Sequence, residues 1–401
     1  MAAEKLRVLC LDIEGGYGGS SRSLYESLNY IDRNAVAPEV WCARQGPIQP
    51  RYAALDIPAH PVAGMPRQSA LPRFSRNLLA LAQYGRDWQR AAGFRQVLAD
   101  AAGRFDLIHL NHESLHGLGL WLRRLPKRPA ITMHVRTMLM PGIFARWQSR
   151  RMARGSDGLV FITENEQARF HAHLGGASNR PEQVIYNIAE PMQAATPHVS
   201  LPRDGRLVVA CLSNYAWVRG VDRVVDVARA LKARGRRDVL FVMAGNMTLS
   251  QSLPGMLGDT ARAGGDLAAY AARMDVADMM MFLGHVPDPE AVLAASDLLI
   301  KPTREDNPWG RDIIEAMAAG RPVLSVGQYD RFVQDSVTGI LQSAFDADAL
   351  AERIASLADD RAAIMRMGEA SSQRVAQLCD GKSRAADLLA FWQRIVEDRH
   401  G

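Results

Sequence analysis

The sequence predicts an α/β protein with two doubly wound parallel β-sheets, and three observations support this fold class. Short apolar runs typical of buried strands alternate with longer helical stretches in both halves of the chain. The 401 residues suit two domains of about 200 residues each, a size that supports a large core. A stretch rich in Pro, Ala and Thr, Glu190 to Pro202, separates the halves and is the best linker candidate.

The first half contains six apolar runs that are predicted strands. They are Leu6–Asp12, Glu39–Ala43, Leu107–Leu110, Ala130–His134, Gly158–Ile162 and Gln183–Tyr186. Helical segments are predicted between them, at Ser21–Asn29, Leu78–Ala101 and Ile143–Ala153. Strands separated by helices favour a parallel, doubly wound sheet.

The second half repeats this scheme. Its predicted strands are Leu207–Leu212, Val239–Ala244, Met280–Leu283, Leu298–Lys301 and Pro322–Val326. The last predicted helix, Ser383–Val396, has an apolar face that must pack against another element. That face carries Leu388, Leu389, Phe391, Trp392 and Ile395.

The most informative segment runs from Glu305 to Gly327. Pro308 excludes regular structure near its start, whereas Asp312–Ala319 carries strong helix formers that are followed by a capping Gly320. The segment is therefore a loop and a helix between two parallel strands. Ligands bind beyond the carboxyl ends of such strands, and the first turns of this helix carry Glu315.

This segment resembles the donor-site signature of retaining glycosyltransferases with the GT-B fold, in particular glycosyltransferase family 4. The matching residues are Trp309-Gly310, Glu315-Ala316-Met317-Ala318, Gly320 and Pro322-Val323. The chain departs from the signature at Asn307, eight positions before Glu315, where the family has a glutamate.

The resemblance implies two Rossmann-like domains that face a central cleft. Residues 1–192 would form the acceptor-binding domain and residues 203–380 the nucleotide-sugar-binding domain, and the helix in 381–401 would cross back onto the first domain. The donor would be a nucleotide diphosphate sugar, with UDP or GDP as the nucleotide, and no other cofactor is expected. The reaction would transfer the sugar to a hydroxyl with retention of configuration and without a metal ion.

The resemblance also implies a set of donor-binding residues. Glu315 would accept hydrogen bonds from ribose hydroxyls, although a carboxylate that stabilises the helix N-terminus is an alternative. Asn307 would bind sugar hydroxyls, with a turn-forming asparagine before Pro308 as the alternative. The complete set is Gly18, Gly19, Asn214, Arg219, Gly245, Asn307, Pro308, Trp309, Gly310, Arg311, Asp312 and Glu315.

Two loops in this set would contact the donor phosphates. The first predicted strand leads into a glycine-rich loop whose Gly18-Gly19 pair matches the family, although a serine-capped turn without a ligand is an alternative. Its spacing is not that of a dinucleotide-binding fingerprint. In the second half, Arg219 matches a family lysine, whereas Asn214 stands where the family has an arginine. Arg304 or Arg311 could replace that missing charge, and an ordinary surface arginine is the alternative for Arg219.

The acceptor side is predicted at the strand ends of the first half. His134 follows a strand where the family has a histidine close to the donor sugar and the reacting hydroxyl, although a lone histidine is often structural. The other acceptor-binding predictions are Tyr17, His112, Glu113 and Arg136. With Arg219 and Glu315, His134 forms the predicted catalytic set.

Charge is distributed unevenly along the chain. Residues 1–190 carry 24 basic against 16 acidic side chains, and the interval from Ser114 to Ser156 contains no acid. Its arginines, interleaved with aromatic residues in 121–154, indicate either a solvated face or a contact with anionic lipid or a phosphorylated acceptor. A nucleic-acid partner is not expected. The cytoplasm is the predicted location, and the inner face of the cytoplasmic membrane is included in that prediction.

The remaining motifs exclude several classes of protein. The four cysteines are widely spaced and predict packed thiols rather than disulfides. Asp346-x-Asp348 is interpreted as helix capping and His171-x-His173 as a surface pair, so no metal site is predicted.

The predicted function is a glycosyltransferase of cell-envelope polysaccharide or glycolipid assembly that uses a carbohydrate or lipid-linked acceptor. The alternatives are a phosphorylase or epimerase of the same fold, a non-catalytic sugar- or lipid-binding protein, and an oxidoreductase.

Overall fold

A computed structural model describes residues 4–66, 78–139, 141–190, 201–202 and 204–400 of the chain. The chain divides into two compact units. The first comprises Met1–Ile188 together with Gly381–Gly401, and the second comprises Ala189–Asp380.

The described residues of the first unit form a sheet of seven parallel strands. In spatial order it runs β3-β2-β1-β4-β5-β6-β7. The strands are β1 (Leu6–Asp12), β2 (Val36–Cys42), β3 (Ala59–Pro61), β4 (Leu107–Leu110), β5 (Ala130–Val135), β6 (Gly158–Phe161) and β7 (Glu182–Val184). The helices between them are α1 (Gly19–Tyr30), α2 (Ile48–Ala53), α3 (Leu78–Arg90), α4 (Ala92–Ala102), α5 (His116–Leu122), α6 (Ile143–Gly155) and α7 (Glu164–Leu174).

The second unit contains six parallel strands among its described residues, in the order β10-β9-β8-β11-β12-β13. They are β8 (Leu207–Leu212), β9 (Val239–Ala244), β10 (Met280–Gly284), β11 (Leu298–Lys301), β12 (Val323–Val326) and β13 (Gly339–Gln342). Its helices are α8 (Arg223–Ala233), α9 (Gly255–Arg262), α10 (Leu267–Arg273), α11 (Pro289–Ala294), α12 (Arg311–Ala318), α13 (Ala347–Asp359) and α14 (Arg361–Leu378), and the terminal helix α15 (Gly381–His400) follows.

Side chains along β1 alternate between the two faces of the sheet, so each face of the first unit has its own apolar layer. Leu9 and Leu11 pack with apolar side chains of α4 to α7 on one face of the sheet. Val8 and Cys10 point to the opposite face and pack with α1, α2 and α15. The prediction of two doubly wound parallel sheets is thereby confirmed.

The apolar side of α15 packs on the first unit. Leu388, Phe391, Trp392 and Ile395 are all buried there. Gly158 on β6 makes this packing possible, because a Cβ atom at that position would lie 2.6 Å from a carbon of Ile395 and 2.8 Å from one of Phe391. The missing side chain lets the helix approach the strand closely.

Three features of the fold were not predicted. The short edge strand β3 is mostly exposed, so its sequence lacks an apolar pattern. The edge strand β13 begins at Gly339, where the local pattern indicates a turn. The single helix predicted over Leu78–Ala101 is wrong, because the chain breaks at Ala91 into α3 and α4 without a proline to mark the break.

Candidate functional site

The loop that follows β8 shapes the carboxyl edge of the second sheet. It makes one helical turn at Trp217–Arg219 and reverses at Gly220, whose φ is +66°. A Cβ atom at Gly220 would lie 2.0 Å from the carbonyl oxygen of Pro302, so only glycine fits where this loop meets the end of β11. The loop is fixed by main-chain bonding, since the Arg304 N–H donates to the Val218 carbonyl at 2.9 Å.

A cavity of about 210 Å³ lies beside this loop. It is bounded by the ends of three adjacent strands, β8, β9 and β10. Its lining residues are Leu212, Ser213, Asn214, Arg219, Ala244, Gly245, His285 and Val286. The cavity therefore brings together three of the predicted donor-binding residues, Asn214, Arg219 and Gly245.

The polar groups of this cavity include the guanidinium of Arg219 and the hydroxyl of Ser213. Arg219 is exposed, and its guanidinium donates to the Ser213 hydroxyl at 3.1 Å. Gly245 has a φ of +141°, and a Cβ atom there would lie 2.6 Å from the Ser213 carbonyl oxygen. His285 was not predicted, although its place directly after the end of β10 is the signal that could have identified it.

Asn214 has a structural partner. Its side-chain oxygen accepts from the Asn246 main-chain N–H at 2.8 Å and so ties the loop after β8 to the loop after β9. A neutral amide thus holds this edge of the cavity, at the position where the family has a cation.

The segment that carries Glu315 follows β11, the neighbour of β8 in the sheet. It does not contribute to the lining of the cavity. Gly310 precedes α12 with a φ of +144°, and the Asp312 carboxylate in the first turn accepts from the Ile313 main-chain N–H at 3.1 Å. Lys301 at the end of β11 donates to the Trp309 carbonyl at 2.6 Å and contacts the Asp312 carboxylate at 3.1 Å, so it pins the loop to the helix start.

Glu315 lies within this segment and is largely buried. Its carboxylate accepts from Arg311 Nε at 3.0 Å, one turn earlier on α12. Asn307 Oδ1 and the Trp309 indole N–H are both buried and have no hydrogen-bond partner among the described residues. Buried polar atoms are normally satisfied, so these two atoms are available to a ligand.

The two arginines considered as substitutes for the missing cation are both engaged. Arg311 pairs with Glu315, and Arg304 donates to the Asp222 carboxylate at 2.8 Å while its guanidinium stacks 3.5 Å from the centre of the Trp217 ring. Sequence reasoning missed the contact between Arg304 and Asp222, because the two residues are 82 positions apart. Of the three arginines considered, Arg219 is therefore the one that is exposed and lines the cavity.

The glycine loop of the first unit leads into α1. Gly18 is the N-cap of α1 and Gly19 its first residue, and the first turn of the helix contains no acidic residue. A Cβ atom at Gly18 would lie 2.6 Å from Glu14 Oε2, so a carboxylate already approaches this helix end. Tyr17 stacks against Arg51, with the guanidinium 3.8 Å from the ring centre.

The strand ends of the first unit bring the predicted acceptor residues together. Arg136 is buried, and its Nη2 donates to His134 Nδ1 at 3.2 Å. Glu113 is also buried and accepts from the Arg136 main-chain N–H at 2.9 Å and from the Thr137 hydroxyl. His112 approaches the same carboxylate at 3.6 Å.

Burial favours the neutral form of two histidines of the first unit, His109 and His134. Burial, reinforced by the charge of Arg136, lowers the pKa of His109 to about 3. Burial and the same guanidinium hold the pKa of His134 well below its ordinary value. β4 places His109 beside His134, with ring centroids 5.6 Å apart.

The acid-free interval divides into paired and exposed arginines. Arg123 and Arg128 both pair with Asp157, just beyond the interval. Three of the exposed ones, Arg146, Arg150 and Arg154, recur every four residues along α6, and none has an ion-pair partner among the described residues. Trp147 on the same helix is 39% exposed.

Structural roles account for the other titratable motifs. Asp346 caps α13 by accepting from the Ala349 N–H at 3.0 Å, as predicted, and His171 contacts Glu182 at 2.8 Å. Within the described ranges, no three His, Cys, Asp or Glu side chains are grouped to hold a metal ion. All four cysteines are buried, as predicted. None of the described helices is long and apolar enough to cross a bilayer.

Comparison with protein families gives two adjacent matches. Residues 193–374 match the family described as glycosyl transferases group 1. Residues 16–187 match the glycosyl transferase 4-like domain. Together the two matches extend over most of both units.

Two curated relatives and a solved structure show the same similarity. The chain is 24% identical to D-inositol 3-phosphate glycosyltransferase 1 of Catenulispora acidiphila, over 96% of this chain and 93% of that protein. It is 23% identical to alpha-D-kanosaminyltransferase of Streptomyces kanamyceticus, but over 56% of this chain and only 57% of that relative. The crystal structure of HepE from Anabaena, in complex with UDP and glucose, superimposes with a TM-score of 0.71 at 20% identity, covering 97% of this chain and 99% of HepE.

Proposed function

Because this chain belongs to the glycosyl transferases group 1 and has the GT-B fold, we propose that it transfers a sugar from a nucleotide diphosphate sugar to a hydroxyl with retention of configuration. The proposal rests on the arrangement of residues at the carboxyl edge of the second sheet. There, the cavity with Arg219 and the segment with Glu315 follow adjacent strands. HepE of similar fold was crystallised with UDP, which supports a UDP-sugar, and a GDP-sugar is the other donor considered.

Arg219 is proposed to bind the diphosphate. A guanidinium binds phosphate oxygens through charge-assisted hydrogen bonds. Glu315 is proposed to accept from ribose hydroxyls. Asn307 and Trp309 are proposed to bind the donor through the two buried polar atoms that have no partner among the described residues.

The proposed chemistry proceeds on one face of the sugar. The bond between the anomeric carbon and the β-phosphate oxygen breaks, and its electron pair goes to that oxygen. The acceptor hydroxyl forms the new bond on the same face and gives its proton to the departing phosphate. Arg219 stabilises the charge that develops on the leaving group.

The first unit is proposed to bind the acceptor near His134, His112 and Glu113. We place the reaction in the assembly of a cell-envelope polysaccharide or glycolipid, at the inner face of the cytoplasmic membrane. Support comes from the exposed arginine row of α6 and its neighbour Trp147, a pattern typical of surfaces that touch anionic lipid.

The membrane proposal predicts reversible binding to anionic vesicles. Replacing Arg146, Arg150 and Arg154 with glutamine should weaken sedimentation with such vesicles roughly a hundredfold, because each basic residue contributes about 1 kcal/mol. Arg151 is left intact because it bonds to His116 at 3.2 Å. Salt should reduce wild-type binding, since the contacts are exposed.

A matched control replaces three exposed arginines of the second unit, Arg234, Arg237 and Arg262, with glutamine. This variant should sediment like wild type. Equal binding of all three proteins at low and high salt would mean that the α6 arginines form only a solvated face.

Metal independence is the next prediction. Excess EDTA should leave the transfer rate unchanged, because Arg219 supplies the positive charge in the proposed mechanism. Initial rates with and without chelator measure this. Activity that disappears on chelation and returns with manganese would contradict the mechanism.

A transfer assay tests the function itself. The full chain is incubated with UDP- and GDP-sugars and a panel of carbohydrate and lipid-linked acceptors, and the anomeric configuration of the product is read by proton NMR. A product with the configuration of the donor supports the proposal. An inverted product contradicts retention. Binding of a nucleotide sugar without turnover would favour a non-catalytic role, for which Asn214 and Asn307 are the departures from the family.

A further inference from the structure

We infer that Trp392 of the terminal helix is a positioning residue that fixes the tautomer of His109, whose ring contacts the neutral hydrogen-bond donor His134 edge-on. This inference deepens the proposed function and rests on it for the role of His134. The tautomers of the two histidines can be tested without any turnover. Three rings, those of Trp392, His109 and His134, lie in consecutive contact, with centroid separations of 5.3 Å and 5.6 Å.

The first link fixes the proton of His109. Trp392 is fully buried, and its indole Nε1 lies 3.3 Å from His109 Nδ1. An indole N–H can only donate, so His109 Nδ1 must accept and the ring proton must be on Nε2. The Thr132 hydroxyl contacts the same Nδ1 at 2.9 Å.

The second link fixes the proton of His134 in the same way. Arg136 Nη2 lies 3.2 Å from His134 Nδ1, and a guanidinium can only donate. His134 is therefore an Nε2–H tautomer as well. Arg136 is itself held rigidly, because its Nε and Nη2 both donate to Asn111.

The outcome is a buried hydrogen-bond donor near the end of β5. His134 Nε2 has no hydrogen-bond partner among the described residues, and the residue is 4% exposed. The groups that face it electrostatically are Arg136, His109 and His112, and none of them is an anion. With its Nδ1 lone pair occupied and a proton on Nε2, His134 donates to a substrate oxygen and does not accept the hydroxyl proton. That proton is thus left for the departing phosphate.

Trp392 is needed because Thr132 alone does not fix the His109 tautomer. A hydroxyl can donate or accept, so without the indole N–H the His109 proton can move to Nδ1 and donate to Thr132. His109 would then present a lone pair at Nε2. The His109 ring stands edge-on to His134, with an interplanar angle of 77°. The change of His109 tautomer would therefore replace a positive ring edge with a negative one beside the N–H of His134.

The test uses the full chain labelled with nitrogen-15 at histidine, and long-range proton–nitrogen NMR spectra that report each tautomer. In wild type, His109 and His134 should both remain neutral Nε2–H tautomers from pH 5 to pH 8. Neither ring should therefore contribute a rise or a fall to the pH dependence of kcat in this range. In Trp392→Phe, which keeps a ring but removes the N–H, His109 should lose its single tautomer. The value of kcat should fall about fivefold, as expected for one lost hydrogen bond, while the donor KM changes much less.

Trp121→Phe in the same unit is the matched control and should alter neither the spectrum nor kcat. A wild-type His134 that carries its proton on Nδ1, or that titrates between pH 5 and pH 8, would overturn the inference, and this measurement does not depend on whether any variant folds. An unchanged His109 tautomer in folded Trp392→Phe would overturn the role of Trp392. If wild type transfers no sugar, the proposed function fails, and the spectra still decide whether Trp392 sets the tautomers.

Discussion

Replacing Glu315 with alanine is expected to lower kcat/KM for the donor by about 30- to 900-fold while leaving the fold intact. This corresponds to roughly 2–4 kcal/mol of lost transition-state stabilisation, the size expected for two hydrogen bonds to a charged acceptor. The carboxylate is placed for this role, because it lies on the first turns of α12 and is oriented by Arg311 at 3.0 Å.

Two further variants separate binding from orientation. Glu315→Gln keeps the size of the side chain but removes its charge, so it should retain part of the lost activity. Glu352→Gln on α13 changes an exposed glutamate of the same unit and should behave like wild type. Steady-state kinetics with circular dichroism checks the result, and unchanged kinetics in folded Glu315→Ala would remove Glu315 from the donor site.

Replacing Arg219 with alanine is expected to reduce kcat/KM about 10- to 150-fold. A hydrogen bond to a charged group contributes about 1.5–3 kcal/mol, and the proposed phosphate contacts strengthen as the leaving group gains charge. Because that charge is greatest in the transition state, kcat should fall as well as donor affinity. The free energy of unfolding should change little, since Arg219 is exposed and its described side-chain contact is with the Ser213 hydroxyl.

Arg219→Lys should recover part of the loss, because an ammonium keeps the charge but not the two parallel hydrogen bonds. Arg366→Ala on α14 is the control, as Arg366 is exposed and pairs only weakly with Asp360 at 3.4 Å. Equal kinetics for Arg219→Ala and Arg366→Ala would show that Arg219 does not contact the phosphates.

Several central strands were predictable from sequence to the residue, whereas the bounds of β5 and β12 each differ by one residue from the predicted ones. The bounds of β1, β4, β8 and β9 agree with the predicted ones, because these mostly buried strands consist mainly of apolar residues. The edge strand β3 was missed for the opposite reason. It has three residues and little buried surface, so its pairing with β2 depends on tertiary contact and not on a local pattern.

The candidate site was predictable only where it consists of local motifs. The Glu315 segment and the Arg219 loop are each contiguous in sequence. By contrast, Arg304 was a candidate phosphate ligand from its position in the sequence, whereas in the structure its guanidinium donates to the Asp222 carboxylate. The contact of Trp392 with His109 joins residues 283 positions apart, and no local pattern could indicate it.

Calorimetric titration of the full chain with UDP, GDP and their sugars tests the central claim most directly. The account predicts saturable one-to-one binding of one nucleotide series to wild type, binding weakened by at least tenfold in Glu315→Ala and in Arg219→Ala, and unchanged binding in Glu352→Gln and Arg366→Ala. Absence of binding by every nucleotide and nucleotide sugar, or binding that neither Glu315→Ala nor Arg219→Ala weakens, would contradict a donor site at the carboxyl edge of the second sheet.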